Sequence, residues 1–380
     1  MISKKFYDIF CRVVDNFGDI GVCWRLARQL VAEQGGNVRL WVDDLETFAR
    51  LNPEIDSSRD GQAFAGLEVR RWRKPFHDVV PGDVVIEAFA CELPANFKTA
   101  MAEKSHAPAW INLEYLSAEP WVTGTHRLPS PQAELTKYFF FPGFVPQSGG
   151  LLRERGLLDK RKIFQSDRAL QGEFWQSLGL ALPRPDEFRV SLFCYDNPAL
   201  PALLQQFAAG KSTVTLLVPK GVASATLENF FSAPGGEAGQ TLSAGNFTLH
   251  VIPFLDHERY DRLLWACDVN FVRGEDSFVR AQWAARPFVW QIYPQEGNAH
   301  RVKLDAFLDL FCADIPATMA EQIRAFWRAW NGESMAPTAW EEWLKSRANI
   351  GSQATAWAEK LAKRADLATA LVNFTDDLLK

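Results

Sequence analysis

The sequence predicts an α/β protein made of two doubly wound units, and three observations carry that reading. The chain has 380 residues, enough for one large core or two ordinary ones at about 150 residues per domain. Short β-rich apolar runs alternate with helical stretches from residue 6 to about 116, the pattern of a mostly parallel sheet. The same alternation restarts beyond Pro183 and Pro185, after a stretch in which it fades. Composition agrees: 47% hydrophobic and 23% charged residues, with Phe 28, Trp 14 and Tyr 6, are incompatible with a disordered chain. A formal net charge of −5 lacks the even basic field that draws proteins to nucleic acid or anionic lipid, so neither is expected as a partner.

In the first unit, FYDIFCRVV (6–14) reads as a strand and DNFGDIG (15–21) as a loop. Ile20, Trp24, Ala27, Leu30 and Val31 then fall at helical spacing. NVRLWVD (37–43), LEVRRW (67–72), VVIEAF (84–89) and AWINLEYL (109–116) read as further strands, with helices over 44–51 and 94–104. From about 117 to 165 the periodicity gives way to EPWVTGTHRLPSPQ, KYFFFPGF and PQSGGLLRERG, read as irregular connection before a helical piece at 166–178. The second series of strands is RVSLFCY (189–195), TVTLLVP (213–219), LHVIPF (249–254), DVNFV (268–272) and PFVWQIY (287–293). Helices fit over 199–209, 222–231, 257–267, 277–285 and 298–312, and the tail from 316 is helical, with Trp327, Trp330, Trp340, Trp343 and Trp357 to bury. The expected units are therefore 1–155 and 188–362 with a linker over 156–187; that the last helix, 363–380, crosses back to complete the first unit is an expectation for a doubly wound chain of this kind, which pattern alone does not show.

Six cysteines at 11, 23, 91, 194, 267 and 312 stand at least a dozen residues apart, which excludes a CxxC motif or compact disulfide framework and predicts reduced, mostly buried thiols. The six histidines are scattered and no D-x-D occurs, so no metal is signalled. Asp8, Arg12 and Asp15 interrupt the start where a signal peptide needs an apolar run, and no stretch approaches 18 apolar residues; a cytoplasmic protein is expected. Neither a G-x-S-x-G elbow nor a cysteine beside a histidine supports a hydrolase.

Open parallel sheets bind ligands outside the carboxyl ends of their strands, so the loops after strands are where chemistry is sought. After the first strand, Asp15 and Asp19 flank Gly18, in a spacing that matches neither a G-x-G-x-x-G fingerprint nor a Walker loop. Two carboxylates there suit proton abstraction or the holding of a cationic group. The plainer reading is that Asp19 N-caps the helix beginning at Ile20. In RGEDSFVR (273–280), Arg273 has a fork that matches phosphate, and the amides around Asp276 and Ser277 open a helix whose dipole favours an anion. Glu275 and Asp276 oppose a phosphate unless they serve a hydroxyl or a cationic substrate, or simply sit well on the helix dipole. Phe193, Tyr195, Phe254, Tyr260 and Tyr293 gather near strand ends, where flat faces can stack on a base or pack on a sugar; singly, each reads as core.

Together IFCRVVDNFGDIGVCWRLAR (9–28), NLEYLSAE (112–119), SGGLLRE (148–154) and RGEDSFVRAQWAARPFVWQIYPQ (273–295) resemble the EarP family, bacterial protein-arginine rhamnosyltransferases acting on translation elongation factor P. The resemblance runs from the first strand to about residue 300 and implies a GT-B architecture, two Rossmann-like domains facing a central cleft. It further implies an inverting mechanism, dTDP-β-L-rhamnose as donor, no separate cofactor, and an acceptor arginine at a loop tip of elongation factor P. By position it assigns Asp19 as general base, Asp15 as its acidic partner and Glu275 as a second catalytic carboxylate. Arg273, Asp276 and Ser277 would hold the diphosphate end without a metal; Phe193, Tyr195, Phe254, Tyr260 and Tyr293 would form the donor pocket, and Gly18 would lie against substrate. Two other readings stay open: a GT-B glycosyltransferase with a different nucleotide sugar or a small-molecule acceptor, and a non-catalytic sensor of nucleotide sugars.

Overall fold

A computed structural model of the chain describes residues 4–64, 66–234, 236–294, 297 and 299–380. The chain divides into two units, one running to Arg155 and including Lys363–Lys380, the other Gly156–Ala362. In the first unit the elements run β1 (Phe6–Cys11), α1 (Phe17–Gln34), β2 (Asn37–Val42), α2 (Leu45–Leu51), β3 (Gly61–Phe64), β4 (Leu67–Arg71), β5 (Val84–Ala88), α3 (Ala95–Ala102), β6 (Ala109–Leu113), α4 (Val122–Thr125), β7 (Pro129–Gln132) and β8 (Leu135–Phe140). Their sheet has the order β3-β4-β2-β1-β5-β6-β8-β7, parallel except for the outermost pair at each edge.

The stretch 117–165 is therefore not irregular: KYFF belongs to β8, which pairs with β6 in parallel, and PSPQ forms β7 at the edge. Prolines hide β7 from a periodicity reading, yet an edge strand tolerates them because its outer N–H groups need no ladder partner. Helix α1 ends at Gly35, whose φ of +66 turns the chain back towards β2. Its Ile20, Cys23, Trp24, Ala27 and Leu30 are buried, and Phe10, Trp41, Trp72, Phe97 and Trp110 fill a core beneath the sheet.

The second unit runs α5 (Leu157–Ser166), α6 (Arg168–Ser177), β9 (Glu187–Leu192), α7 (Leu200–Ala209), β10 (Thr213–Pro219), α8 (Ser224–Phe231), β11 (Thr241–Ala244), β12 (Phe247–Ile252), α9 (His257–Ala266), β13 (Val269–Arg273), α10 (Asp276–Ala284), β14 (Phe288–Gln291), α11 (Ala299–Phe311), α12 (Ala317–Trp330), α13 (Ala339–Lys345) and α14 (Arg347–Ala362). Its sheet order is β11-β12-β10-β9-β13-β14, with only β11 antiparallel among the described pairings. The segment 156–187 is no linker. It holds α5 and α6, and buried Arg161 donates to the Trp283 carbonyl at 2.8 Å while Gln165 donates to that of Ala284 at 3.0 Å. After α14, α15 (Leu367–Leu378) joins the first unit, where Gln29 of α1 donates to Asp366 at 3.0 Å and the Leu367 amide to the Leu151 carbonyl.

All six cysteines are buried and free, and no helix among the described residues is long and apolar enough to cross a membrane. In each sheet the order reverses at the first strand of its unit: β1 lies between β2 and β5, β9 between β10 and β13. Such switch points are where the loops at strand ends part and leave room for a ligand.

Candidate active site

At the switch point of the first unit, the chain leaves β1 through Val13–Asn16 and enters α1 at Phe17. Asn16 is the N-cap residue, held at φ 38, and its side chain makes no capping bond. Asp19 is thus not the cap expected at the helix start: it stands inside the first turn, only 2% exposed, and reaches backward. Its Oδ2 accepts from the amides of Val14 and Asp15, both at 2.8 Å. Burial holds the Asp19 carboxyl above the usual carboxylate range, and the charge of Asp43 adds to the rise; the two amides and the Tyr115 side chain pull the other way. Burial prevails, leaving a carboxylate with an enhanced appetite for a proton.

Asp15 folds over Gly18. A Cβ there would stand 2.6 Å from Asp15 Oδ2, and the Gly18 amide donates to the Asp15 carbonyl at 2.6 Å, so only glycine leaves the carboxylate its place. Two residues at this site escaped the sequence reading, Asp43 after β2 and Tyr115 after β6. Tyr115 stacks on Phe89 with ring centroids 4.5 Å apart and planes at 19°. Phe89, Ala90 and Glu92 all have positive φ, a local strain that persists because Leu113 O, Asn112 Oδ1 and Glu87 Oε1 accept from their amides. Both missed residues lay in runs already recognised as strand ends; what joins them to Asp19 is sheet order, which spacing does not give.

At the switch point of the second unit, Arg273 closes β13 and Asp276 opens α10. The Arg273 guanidinium lies 4.3 Å from the Phe193 ring centroid and 4.6 Å from that of Tyr195, and its Nη1 donates to the Cys194 carbonyl at 3.0 Å. Phe193 meets Phe254 at 6.4 Å and Tyr260 at 5.8 Å, while Tyr195 meets Tyr293 at 5.4 Å. All five aromatics picked from strand ends therefore join one network that Arg273 bridges. Ser277 is occupied with Arg273: its hydroxyl donates to the Arg273 carbonyl and accepts from the Arg273 amide at 3.1 Å. Asp276 lies 3.9 Å from Nε2 of buried His257, and Glu275 takes the N-cap position without a side-chain capping bond. Gln291, also missed, accepts the Tyr195 amide at 2.9 Å and so fixes one wall of the network from β14. Aromatic faces, a planar cation and a helix N-terminus in one place suit an anion attached to a flat ring.

A family model described as elongation factor P (EF-P) rhamnosyltransferase EarP matches residues 7–376. A protein-arginine rhamnosyltransferase of Pseudomonas aeruginosa is 50% identical over 374 residues, covering 98% of this chain and 99% of the relative. One from Neisseria meningitidis is 39% identical over 308 residues, covering 79% and 77%. Among solved structures, one described as the structural basis for EarP-mediated arginine glycosylation of translation elongation factor EF-P superposes with a TM-score of 0.72 at 35% identity, covering 98% of this chain and 99% of that one. A spinosyn forosaminyltransferase, at 12% identity and a TM-score of 0.52 over 99% and 100% of the two chains, shares the fold alone.

Proposed function

This chain belongs to the EF-P rhamnosyltransferase EarP family, with an α/β fold of GT-B type, and we propose that it moves rhamnose from dTDP-β-L-rhamnose to an arginine side chain of translation elongation factor P, with inversion. The observation that carries the chemistry is Asp19, a buried carboxylate released from capping and held above its usual range. A guanidinium is protonated at physiological pH and a poor nucleophile, so transfer demands a base that takes its proton as the bond to carbon forms. A guanidine nitrogen attacks the anomeric carbon, the carbon–oxygen bond to the diphosphate breaks, dTDP departs with the electron pair, and Asp19 receives the proton.

Asp15 pairs with the acceptor's positive charge, and Gly18 keeps the space that this requires. In the second unit Phe193, Tyr195, Phe254, Tyr260 and Tyr293 take the donor's flat and apolar parts. Arg273 and the amides at Asp276 and Ser277 take the departing diphosphate without a metal, and Glu275 supplies the negative charge that favours an oxocarbenium-like transition state. This reading makes the protein a cytoplasmic modifier of a soluble acceptor. The test is the mass of elongation factor P after incubation with this protein and dTDP-rhamnose, with and without chelator. A gain of one deoxyhexose on arginine, insensitive to chelator, is expected; no gain, or a gain only with other nucleotide sugars, overturns the reading.

A further inference from the structure

Three consecutive amides of the loop after β1 are held by two carboxylates from different elements. Val14 and Asp15 donate to Asp19 Oδ2 on α1, and Val13 donates to Oδ1 of Asp43, the residue after β2, at 2.9 Å. Because β2 is the sheet neighbour of β1, the bond from Val13 ties the loop to the sheet as well as to its own helix. Asp43 also brings a second negative charge towards Asp19. Cys11 at the end of β1 and Tyr115 after β6 also face Asp19, and Asp15 of the same loop meets it through its backbone amide.

We propose that Asp43 is a positioning residue for transfer, anchoring Val13–Asp15 to the sheet and thereby fixing where Asp15 and Asp19 stand. The inference rests on Asp19 being the base and adds what holds it. Two properties of one side chain are involved: an oxygen that accepts from Val13, and a charge that acts on Asp19 through space. Asp43→Asn keeps an acceptor oxygen and removes the charge, whereas Asp43→Ala removes both.

The experiment measures kcat against pH for the full-length protein with dTDP-rhamnose and elongation factor P, with Asp19→Asn run beside the two Asp43 variants. Asp43→Ala is expected to lose about 10- to 100-fold in kcat at every pH, the usual effect of a misplaced reacting group. Asp43→Asn is expected to recover most of that loss and to show its acidic limb at lower pH than the parent. Asp43→Ala within about three-fold of the parent, or an unmoved limb in Asp43→Asn, overturns the proposal. Should the Ala variant fail to fold, Asp43→Leu, which fills similar space without an acceptor oxygen, is judged by the same rate criterion. Asp19→Asn at the parental rate would instead remove the reading of Asp19 as base, a result that no outcome with the Asp43 variants imitates.

Discussion

At the scale of residues, burial makes Asp19 a trade between stability and function. Its carboxyl lies above the ordinary range in the fold, so it contributes stability below the unfolded pKa, and that contribution is lost as pH rises through the folded one. Near neutral pH the ionised side chain therefore costs stability. Asp19→Asn, which keeps an oxygen for the Val14 and Asp15 amides, should melt no lower than the parent at neutral pH, with the difference fading in acid. Turnover in the same variant should fall about 10²–10⁴-fold, the share general-base catalysis commonly supplies. A variant that melts markedly lower would show the carboxylate to be structural. Arg273 stands between two rings, and its Nη1 bonds to Cys194 O. Replacing it by Ala should weaken donor binding about 10- to 100-fold in calorimetry, the equivalent of a lost charge-assisted hydrogen bond. Turnover should drop with it, since on the proposed reading one contact would serve both the bound donor and the leaving group. DNFGDIG and RGEDS could be picked out of the sequence because paired charges beside glycine after a strand are local. Asp43, Tyr115 and Gln291 could not, because their partners are fixed by strand order and lie up to 96 positions away.

At the scale of elements, the aromatic network around Arg273 depends on α9 and α10, which bring Tyr260, His257, Asp276 and Ser277 to one place. An ion pair clamps the two helices: Arg280 Nε donates to Asp261 Oδ1 at 2.8 Å, with both residues at most 5% exposed. Removing one partner takes from the other, in a buried setting, its bidentate opposite charge. Arg280→Ala should therefore lower stability by about 3–5 kcal/mol in denaturant unfolding, whereas Arg280→Met with Asp261→Leu should recover much of that loss. If the single variant proves as stable as the parent, the clamp carries no energy. The same scale explains which elements the sequence concealed. β3, β7 and β11 are four-residue edge strands, half wet, without the apolar run by which central strands are recognised. Helix α5 is hidden, and α6, readable as a helical piece over 166–178, falls with it in the expected linker, because few of their residues are buried; one of these is a charged Arg161, which no hydrophobic period reveals.

At the scale of the whole molecule, the chain passes between its units twice, and α15 belongs to the first unit although it is last in sequence. The restart of strand and helix after Pro183 made two units readable; that residues 156–187 pack with the second was not, because polar contacts to Trp283 and Ala284 hold them there. Helix α15 covers α1, the helix that carries Asp19. Its Leu367, Ala368 and Leu371 are almost wholly buried, and two leucines alone represent about 3–6 kcal/mol of burial. That is comparable to the entire stability of an ordinary domain. A chain ending at Ala362 should therefore lose hydrogen-exchange protection in β1 and α1 while β13 and α10, in the other unit, keep theirs. Transfer should vanish with the first unit, yet donor affinity in calorimetry should stay near the parental value, since Arg273 and its aromatic partners lie within Gly156–Ala362. Unchanged protection across β1 and α1 would show that α15 merely lies on the unit, and that the core beneath Phe10 and Trp41 suffices to hold Asp19 in place.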